Sequence, residues 1–358
     1  EVMVWGIPFP TVEITQPADA EILLEGRKVT VTYQIPDPPP DSFTVTIRAT
    51  NSAGSAEASW TVTRRGLPPG GQIAVAGELF VDLDANDDTA GDDEWINNGT
   101  LGNFIRIGNP TLEEFDGHRA VSFNSAVPGD AYQCIDNAPD GLVGIDPTRS
   151  IEVWVFNPET EKGEETMVAW GHRGGPNGTN MSFNYGTDYR WGAVGHWGGD
   201  GPDLGWGPEV PEAGKWHYLV YTYDGTTTRV YADGVLANLE ELGPGVINTY
   251  CCTPITLATQ IMPDGMTLDF TSGLEGTLAL AKVRVHDGVL TPEQIQENFN
   301  EERAEFGIAD EAPVFSNVPE KDEYVVGDPV YRKEVMVWGI PFPTVEITQP
   351  ADAEILLE

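Results

Sequence analysis

The stretch Lys215-Trp-His-Tyr-Leu-Val-Tyr-Thr-Tyr-Asp-Gly225, followed by Arg229-Val-Tyr-Ala-Asp-Gly234, decides the fold of most of this chain. Aromatic and β-branched residues such as these favour extended strands. Asp-Gly between two apolar runs is the strongest short-range signal for a hairpin turn. The stretch therefore predicts strands joined by tight turns, and a third Asp-Gly pair at 287–288 suggests another such turn.

Further strand-like runs lie on both sides of this stretch and define an all-β region over about 74–308. The predicted strands are Leu79–Leu83, Ala120–Phe123, Ser150–Phe156, Thr166–Trp170, Met181–Tyr185, Trp216–Tyr223, Thr228–Tyr231 and Leu278–Val285. One helix is expected within it. Thr291-Pro-Glu-Gln294 is a capping box with proline at the first helical position. Ile295 and Phe299 then form an apolar stripe, which predicts a helix to about Glu305.

The chain contains an internal repeat. Residues 1–25 and 334–358 are identical, letter for letter, at a spacing of 333 residues. Identity that includes exposed polar positions requires duplication, or a longer array of which this chain spans slightly more than one period. Residues 26–64 alternate as short strands do, and residues 312–358 continue the pattern across the period. Joined, the two segments have about the size of an immunoglobulin-like sandwich.

Two resemblances follow from these residues. Ala312-Pro-Val-Phe315, Gly327-Asp-Pro-Val-Tyr331, Gly339-Ile-Pro-Phe-Pro343 and the stretch from Phe43 to Gly54 resemble Ig-like, cadherin-like domains of large bacterial surface proteins. The hairpin at 215–234, Ser150-Ile-Glu-Val-Trp-Val155 and Gly276 to Gln294 resemble a laminin-G-like domain of the concanavalin-A-like jelly-roll superfamily. That resemblance implies binding of glycans or proteins, in some members with calcium, and glycoside hydrolysis in others.

The predicted organisation is an all-β chain with a concanavalin-A-like jelly-roll sandwich between parts of two Ig-like sandwiches. Residues 1–65 are the C-terminal part of one Ig-like domain, and 66–73, rich in Pro and Gly, are a linker. The jelly roll occupies 74–310. Residues 311–358 are the N-terminal part of the next Ig-like domain.

Charge limits the partners. The chain has 19 Lys and Arg against 57 Asp and Glu, a formal net charge of −38. Nucleic acids and anionic lipids require clustered cations, so we expect no nucleic-acid partner. No apolar run reaches the length of a membrane-spanning helix, so we expect no membrane insertion. The acidic surface and the two resemblances predict an extracellular or cell-surface location.

The strand that contains Glu152 is the candidate for a catalytic set. Related hydrolases carry three acids at alternate positions of one strand, but here Trp154 and Phe156 occupy the other two positions. We therefore expect no enzymatic activity, and we interpret Glu152 as a rim or hydrogen-bonded residue.

Two constellations suggest ligands. Asp82, Asp84, Asp87 and Asp88 place oxygen atoms at the spacing that suits calcium, but we favour a solvated acidic loop, because Asp and Asn also form turns. The Gly-rich segment with Trp191, Trp197, Asp200, Asp203 and Trp206 could stack on sugar rings, but tryptophans in a jelly roll also pack its core. Cys134, Cys251 and Cys252 are the disulfide candidates, and their pairing is open.

Three functions compete. The first is a structural repeat unit of a long extracellular filament or surface protein, whose copies join head to tail through Ig-like domains. The second is a lectin-like adhesin that binds glycans through the Trp-rich loops. The third, a polysaccharide hydrolase, has the weakest support because the acid pair is missing.

Overall fold

The computed structural model describes residues 2–3, 11–16, 21–25, 28–32, 42–52, 54–63, 73–123, 129–197, 202–271, 273–316 and 336–340. The chain divides into two compact units, Glu1–Gln72 and Ile73–Glu358. Most of the predicted linker over 66–73, most of the second copy at 334–358, and Asp200 lie outside the described residues.

The first unit is built from two antiparallel sheets of three strands each. One has the order β1-β4-β3 and the other the order β2-β5-β6. The strands are β1 (Val2–Met3), β2 (Thr11–Gln16), β3 (Glu21–Glu25), β4 (Lys28–Thr32), β5 (Ser42–Asn51) and β6 (Gly54–Thr63). β5 and β6 form a long hairpin, in register from Ser42↔Thr63 to Asn51↔Gly54.

The second unit is a concanavalin-A-like jelly roll made of two large antiparallel sheets. The strands of its first half are β7 (Leu79–Asp84), β8 (Glu94–Trp95), β9 (Phe104–Ile107), β10 (Thr111–Phe115), β11 (His118–Ser122), β12 (Ala131–Asn137), β13 (Gly144–Ile145), β14 (Arg149–Phe156), β15 (Thr166–Gly171) and β16 (Asn180–Asn184). Those of its second half are β17 (Val194–Gly195), β18 (Trp216–Tyr223), β19 (Thr227–Ala232), β20 (Val235–Glu241), β21 (Asn248–Thr249), β22 (Pro254–Leu257), β23 (Gln260–Ile261), β24 (Leu268–Asp269) and β25 (Ala279–His286).

The eight-stranded sheet has the order β10-β11-β25-β14-β18-β19-β20, and β7 also pairs with β25. The seven-stranded sheet has the order β17-β16-β15-β22-β12-β9-β8. Two short ladders, β13–β21 and β23–β24, join neighbouring loops. A 3-10 turn spans Asp140–Leu142, and helix α1 spans Pro292–Glu302. After the jelly roll, β26 (Glu311–Ser316) pairs with β27 (Met336–Ile340).

The central strands of the eight-stranded sheet are buried on both faces. Alternate residues of a strand point to opposite faces, so Ile151, Val153 and Val155 of β14 enter the cluster between the two sheets. Trp154 of the same strand enters a second cluster, beneath α1. Because both faces are covered, every residue of β18 and β25 is buried, including Lys282, Arg284 and His286, which alternate with apolar residues along β25.

Every strand predicted in the jelly-roll region is confirmed, with bounds that differ by at most two residues. The helix is also confirmed, with both bonds of its capping box between Thr291 and Gln294. It ends earlier than expected, at Glu302. Beyond Glu302 the backbone hydrogen bonds join residues three apart instead of four, from Glu305 N to Glu302 O and from Phe306 N to Arg303 O. The chain there forms tight turns.

The Asp-Gly pairs behave differently from one another. Asp233 and Gly234 both have positive φ (51° and 81°), as a two-residue hairpin turn between β19 and β20 requires. Asp287-Gly288 was predicted as a similar turn, and this is wrong. It follows β25 and leads towards α1, and Asp287 accepts a bond from the backbone N–H of Glu78. Among the described residues, no helix is long and apolar enough to cross a membrane.

Candidate functional site

Glu152, the one acid on the strand where hydrolases carry their catalytic set, is completely enclosed. Its Oε1 lies 2.6 Å from Nε2 of His286. Its Oε2 accepts bonds from the Tyr218 hydroxyl and, at 2.8 Å, from Nδ2 of Asn298 on α1. Burial opposes ionisation, but the bond from His286 and the charge of Arg284 outweigh it, so the pKa of Glu152 lies below its usual value. The expectation of a rim position is wrong, and the expectation of a hydrogen-bonded residue is confirmed.

A second buried carboxylate, Glu302 at the end of α1, was missed by the sequence analysis. It accepts bonds from Arg284 (Nη1 at 3.0 Å), from Nζ of Lys282 at 3.1 Å and from Nε1 of Trp154 at 2.7 Å. Burial opposes its ionisation, but Arg284 and Lys282 lower the pKa of Glu302 to about 2. The three partners lie on β14 and β25, so no local pattern relates them to the helix.

Together these contacts tie α1 to the outer face of the eight-stranded sheet. Glu152 and Glu302 are each exposed by 1% or less. A retaining glycosidase needs two carboxylates about 5 Å apart that reach a substrate from opposite sides of its bond. Here every carboxylate oxygen of the pair already accepts bonds from side chains, and α1 covers the face. The arrangement suits a structural clamp.

The acidic run that suggested calcium does not form a coordination set. Asp82 accepts a bond from Nε of Arg284 at 3.2 Å, and Asp84 lies 3.4 Å from Nζ of Lys282. Asp87 accepts a bond from Nδ2 of Asn98 at 2.8 Å, and burial together with its acidic neighbours raises its pKa. Across the described ranges, no group of three or more His, Cys, Asp or Glu could hold a metal ion. Cations of the protein thus already face Asp82 and Asp84, and calcium binding by this run stays a prediction.

The aromatic residues proposed for sugar binding separate into two classes. Trp206 is 2% exposed and lies against Phe183 and Tyr185 in the main core, so its assignment to a glycan site is corrected to a packing role. Trp197 is 38% exposed and has φ of 59°. Trp191 is half-buried, and the guanidinium carbon of Arg190 lies 4.1 Å from the centroid of the Trp191 ring.

Asp203 organises the same region from within. Its Oδ1 accepts the backbone N–H of His196 at 2.6 Å. The His196 ring is buried between the Pro202 carbonyl at 2.5 Å and the Tyr221 hydroxyl at 2.9 Å. Burial and the nearby charge of Arg149 lower the pKa of His196 to about 3, so it is neutral at physiological pH. Asp203 and His196 thus hold the loop in place.

Trp197 belongs to a set of loops at one end of the sandwich, which we call the loop face: residues 172–179, 196–197, 248–253 and 261–267. Backbone bonds join them, from Gly178 N to His196 O, from Tyr250 N to Thr179 O and from Arg173 N to Ile261 O. The exposed aromatic side chains of the loop face are Trp197 and Tyr250, and Tyr250 contacts the ring of His172.

Arg173 is the central cation of the loop face. Its guanidinium carbon lies 5.1 Å from the Trp197 ring centroid. Its nitrogens lie 3.2 Å from Asp269 and 3.6 Å from Glu164, so two carboxylates hold it against the ring. Behind it, Gln260 donates to Glu164 at 2.7 Å and accepts from Asn180 at 3.1 Å. Trp197 was predicted from the sequence, but these partners were not, because they come from separate strands and loops.

The cysteines are free thiols in this structure. Cys134 is buried and donates to the Gly102 carbonyl, and burial raises its pKa to about 11. Cys251 and Cys252 are exposed neighbours on the loop face, with their Sγ atoms 2.7 Å apart. The structure therefore groups Cys251 with Cys252 and keeps Cys134 inside the core.

Comparison with known families agrees with the architecture of the second unit. Residues 129–296 match a laminin-G family model described as the concanavalin A-like lectin/glucanases superfamily. The match covers the hairpin at 215–234, β14 and the start of α1. It confirms the jelly-roll prediction for that part of the chain. A search of curated proteins by sequence finds no match.

Three solved structures of different origin match parts of this chain. Domain 4 of an extracellular arabinanase from Geobacillus stearothermophilus, solved with arabinotriose, is 19% identical with a TM-score of 0.44, and the match covers 62% of this chain and 98% of that one. A Trypanosoma rangeli sialidase in complex with sialic acid is 12% identical with a TM-score of 0.44, covering 76% of this chain and 44% of that one. A pentraxin from Limulus polyphemus is 14% identical with a TM-score of 0.38, covering 49% and 79%. This chain thus spans less than half of the sialidase.

Proposed function

We propose that this chain is a structural, non-catalytic repeat unit of a long extracellular or cell-surface protein, whose copies join head to tail through Ig-like domains. The observation that carries the proposal is the identical stretch at 1–25 and 334–358, together with the pairing that its second copy makes. In that copy, Met336–Ile340 pairs with Glu311–Ser316.

We expect the two copies together to supply the strands of one Ig-like sandwich. Residues 336–340 are identical to residues 3–7, so we expect the first copy to be able to pair with a β26 strand in the way that β27 does. In the first copy, Val2 pairs with Val29 and Met3 with Lys28 on β4. If both pairings form within one domain, its strands fall into a sheet of order β26-β1-β4-β3 and a sheet of order β2-β5-β6. This division into four and three strands is that of a constant-type Ig sandwich.

The buried carboxylates support a non-catalytic role. Glu152 and Glu302 hold α1 on the sheet: Glu152 accepts a bond from Asn298, and Glu302 accepts bonds from Trp154 and Arg284. The formal net charge of −38 supports a protein that stays soluble and resists non-specific association at an exposed surface.

Sequencing the coding region on both sides of this chain, and measuring the mass of the intact surface protein, tests the proposal. An array predicts further copies at a spacing of 333 residues. A product that ends after one period, or one that hydrolyses polysaccharides, would contradict it.

Glycan binding at the loop face is the second candidate function. It is favoured by Trp197, whose exposed ring is fixed from behind by Arg173. Exposed aromatic rings stack on sugar rings, and nearby polar groups bond the hydroxyls. A glycan array probed with the intact chain tests this function. Binding should be lost in Trp197→Ala and kept in Tyr189→Ala, an exposed aromatic outside the loop face. Equal binding by both variants would count against the loop face.

A further inference from the structure

The strand that repeats the start of the chain is seated on a defined surface. Backbone pairs join Phe315 to Val337 and Val314 to Trp338. Beyond this ladder, Gly339 and Ile340 lie against the turn at Asp233–Val235 and against α1. We call the combination of β26, this turn and the adjoining side of α1 the junction surface.

The fit at the junction surface is close. Gly339 is buried, and Ile340 is half-buried against the apolar cluster beneath α1. The cavity left between Ile340, Phe299 and Gly234 is about 10 Å³, no larger than one water molecule needs.

β26 is held close to α1. Arg303, at the end of the helix, donates to the Ile308 carbonyl at 3.0 Å and forms an ion pair with Asp310, just before Glu311. The Asp233–Val235 turn packs on the same helix, because a side chain at Gly234 would meet the Phe299 ring at 3.3 Å. The strand ladder and the apolar contact of the junction surface are therefore held together.

We propose that the junction surface accepts residues 3–7 of a second copy of this chain. This inference rests on the proposed function and names the partner of its joining site. Residues 3–7 are identical to 336–340, so they carry the same glycine, the same isoleucine and the same backbone donors and acceptors. A surface that binds one copy of this sequence binds the other with the same contacts, by addition of a strand to the edge of β26.

Residues 336–340 of the same chain and residues 3–7 of another chain compete for the junction surface. We call the replacement of the first by the second "strand exchange". The second copy is tethered to β26 through residues 317–335, which gives it an effective concentration on the order of millimolar. At micromolar protein, a chain therefore occupies its own junction surface. A substitution that weakens the binding of residues 336–340 alone lets residues 3–7 of another chain take their place. The resulting contact is head to tail and does not close, so association produces a series of species and not only a dimer.

Matched variants of the intact chain test the proposal. Ile340→Asp removes the apolar contact of the second copy, and Ile7→Asp removes its equivalent in the first copy. Masses are measured by light scattering over about a hundredfold range of concentration, because trans association follows mass action. The melting temperature of the jelly roll, measured on each variant, verifies folding. The wild type should remain near 38.9 kDa, the mass of one chain. Ile340→Asp should reach at least twice that mass, and the double variant should return to one chain.

An Ile340→Asp chain that stays monomeric at every concentration would overturn the proposal, as would association that Ile7→Asp fails to remove. Association of the wild type that Ile7→Asp alone abolishes would support it. Val337→Pro, with Val4→Pro as its match, weakens the strand ladder instead of the apolar contact and should give the same pattern. If strand exchange is not observed but further repeats flank this chain in the coding region, the proposed repeat array stands and its junctions are covalent only. If no further repeats are found, the proposed array fails, and the measured masses still show whether strand exchange occurs.

Discussion

Replacing Glu302 with glutamine should lower the free energy of unfolding of the jelly-roll unit by about 3 kcal/mol at pH 7. The substitution keeps the size of the side chain and removes its negative charge. Arg284 and Lys282, both 5% exposed or less, then lose the carboxylate that faces them. Removing one partner of a buried ion pair is costly because the remaining charge stays desolvated.

The magnitude follows from the pKa of Glu302. Burial opposes ionisation, but Arg284 and Lys282 lower the pKa from an ordinary value of 4.5 to about 2. This difference corresponds to about 3 kcal/mol, since each pKa unit is worth about 1.4 kcal/mol. For a domain of this size the loss should lower the melting temperature by about 6–12 °C.

The sign of the pH dependence is also determined. Because the folded-state pKa is lowered, the contribution is fully present above the unfolded value of 4.5. It is lost as the pH falls from 4.5 towards about 2. The difference between wild type and Glu302→Gln should therefore be largest at pH 7 and small near pH 2.

Urea denaturation followed by tryptophan fluorescence, at several pH values, measures this difference. Glu297→Gln, on the exposed side of the same helix, removes an identical charge and should change stability by less than about 0.5 kcal/mol. A loss below about 1 kcal/mol in Glu302→Gln, or a loss independent of pH, would refute the reasoning from the buried pair.

Three further outcomes are expected. Trp206→Ala should cost about 3–5 kcal/mol as a core truncation, whereas Trp197→Ala should cost less than about 1 kcal/mol, and urea denaturation of both variants measures the contrast. Chelation of divalent cations should leave the melting temperature unchanged, because Asp82 and Asp84 already face Arg284 and Lys282. A fall of several degrees would show that a bound divalent cation stabilises the fold. No polysaccharide should be hydrolysed in a reducing-sugar assay, and turnover that disappears in Glu152→Gln would show that the buried carboxylate reaches substrate.

Much of the fold could be predicted locally. The runs at 150–156 and 216–223 became β14 and β18 almost residue for residue, because strand preference and turn chemistry act within a few neighbours. The capping box at Thr291 and Gln294 likewise depends on contacts three residues apart. The end of the helix was less predictable, since the chain after Glu302 tightens into turns, and the Arg303 side chain bonds the Ile308 carbonyl and Asp310 beyond it.

The candidate site was predictable only in part. Trp197 and Trp206 lie in similar Gly-rich surroundings in the sequence, yet one is exposed and the other is in the core. Their difference depends on which loops meet around them. Asp82 and Asp84 suggested a metal site because their cationic partners, Arg284 and Lys282, are far away in the sequence and become neighbours only when β7 pairs with β25.

The sequence by itself determined the strands, the tight turn at Asp233, the cap of the helix and the repeat of residues 1–25, because each is written in adjacent residues or in direct identity. Only the tertiary structure decided that Glu152 meets His286, which is 134 residues away, and that Glu302 faces Arg284. These pairings depend on the order of strands in the sheet and on the helix that covers it. Long-range order of this kind is set by the packing of whole elements, which no short pattern of residues contains.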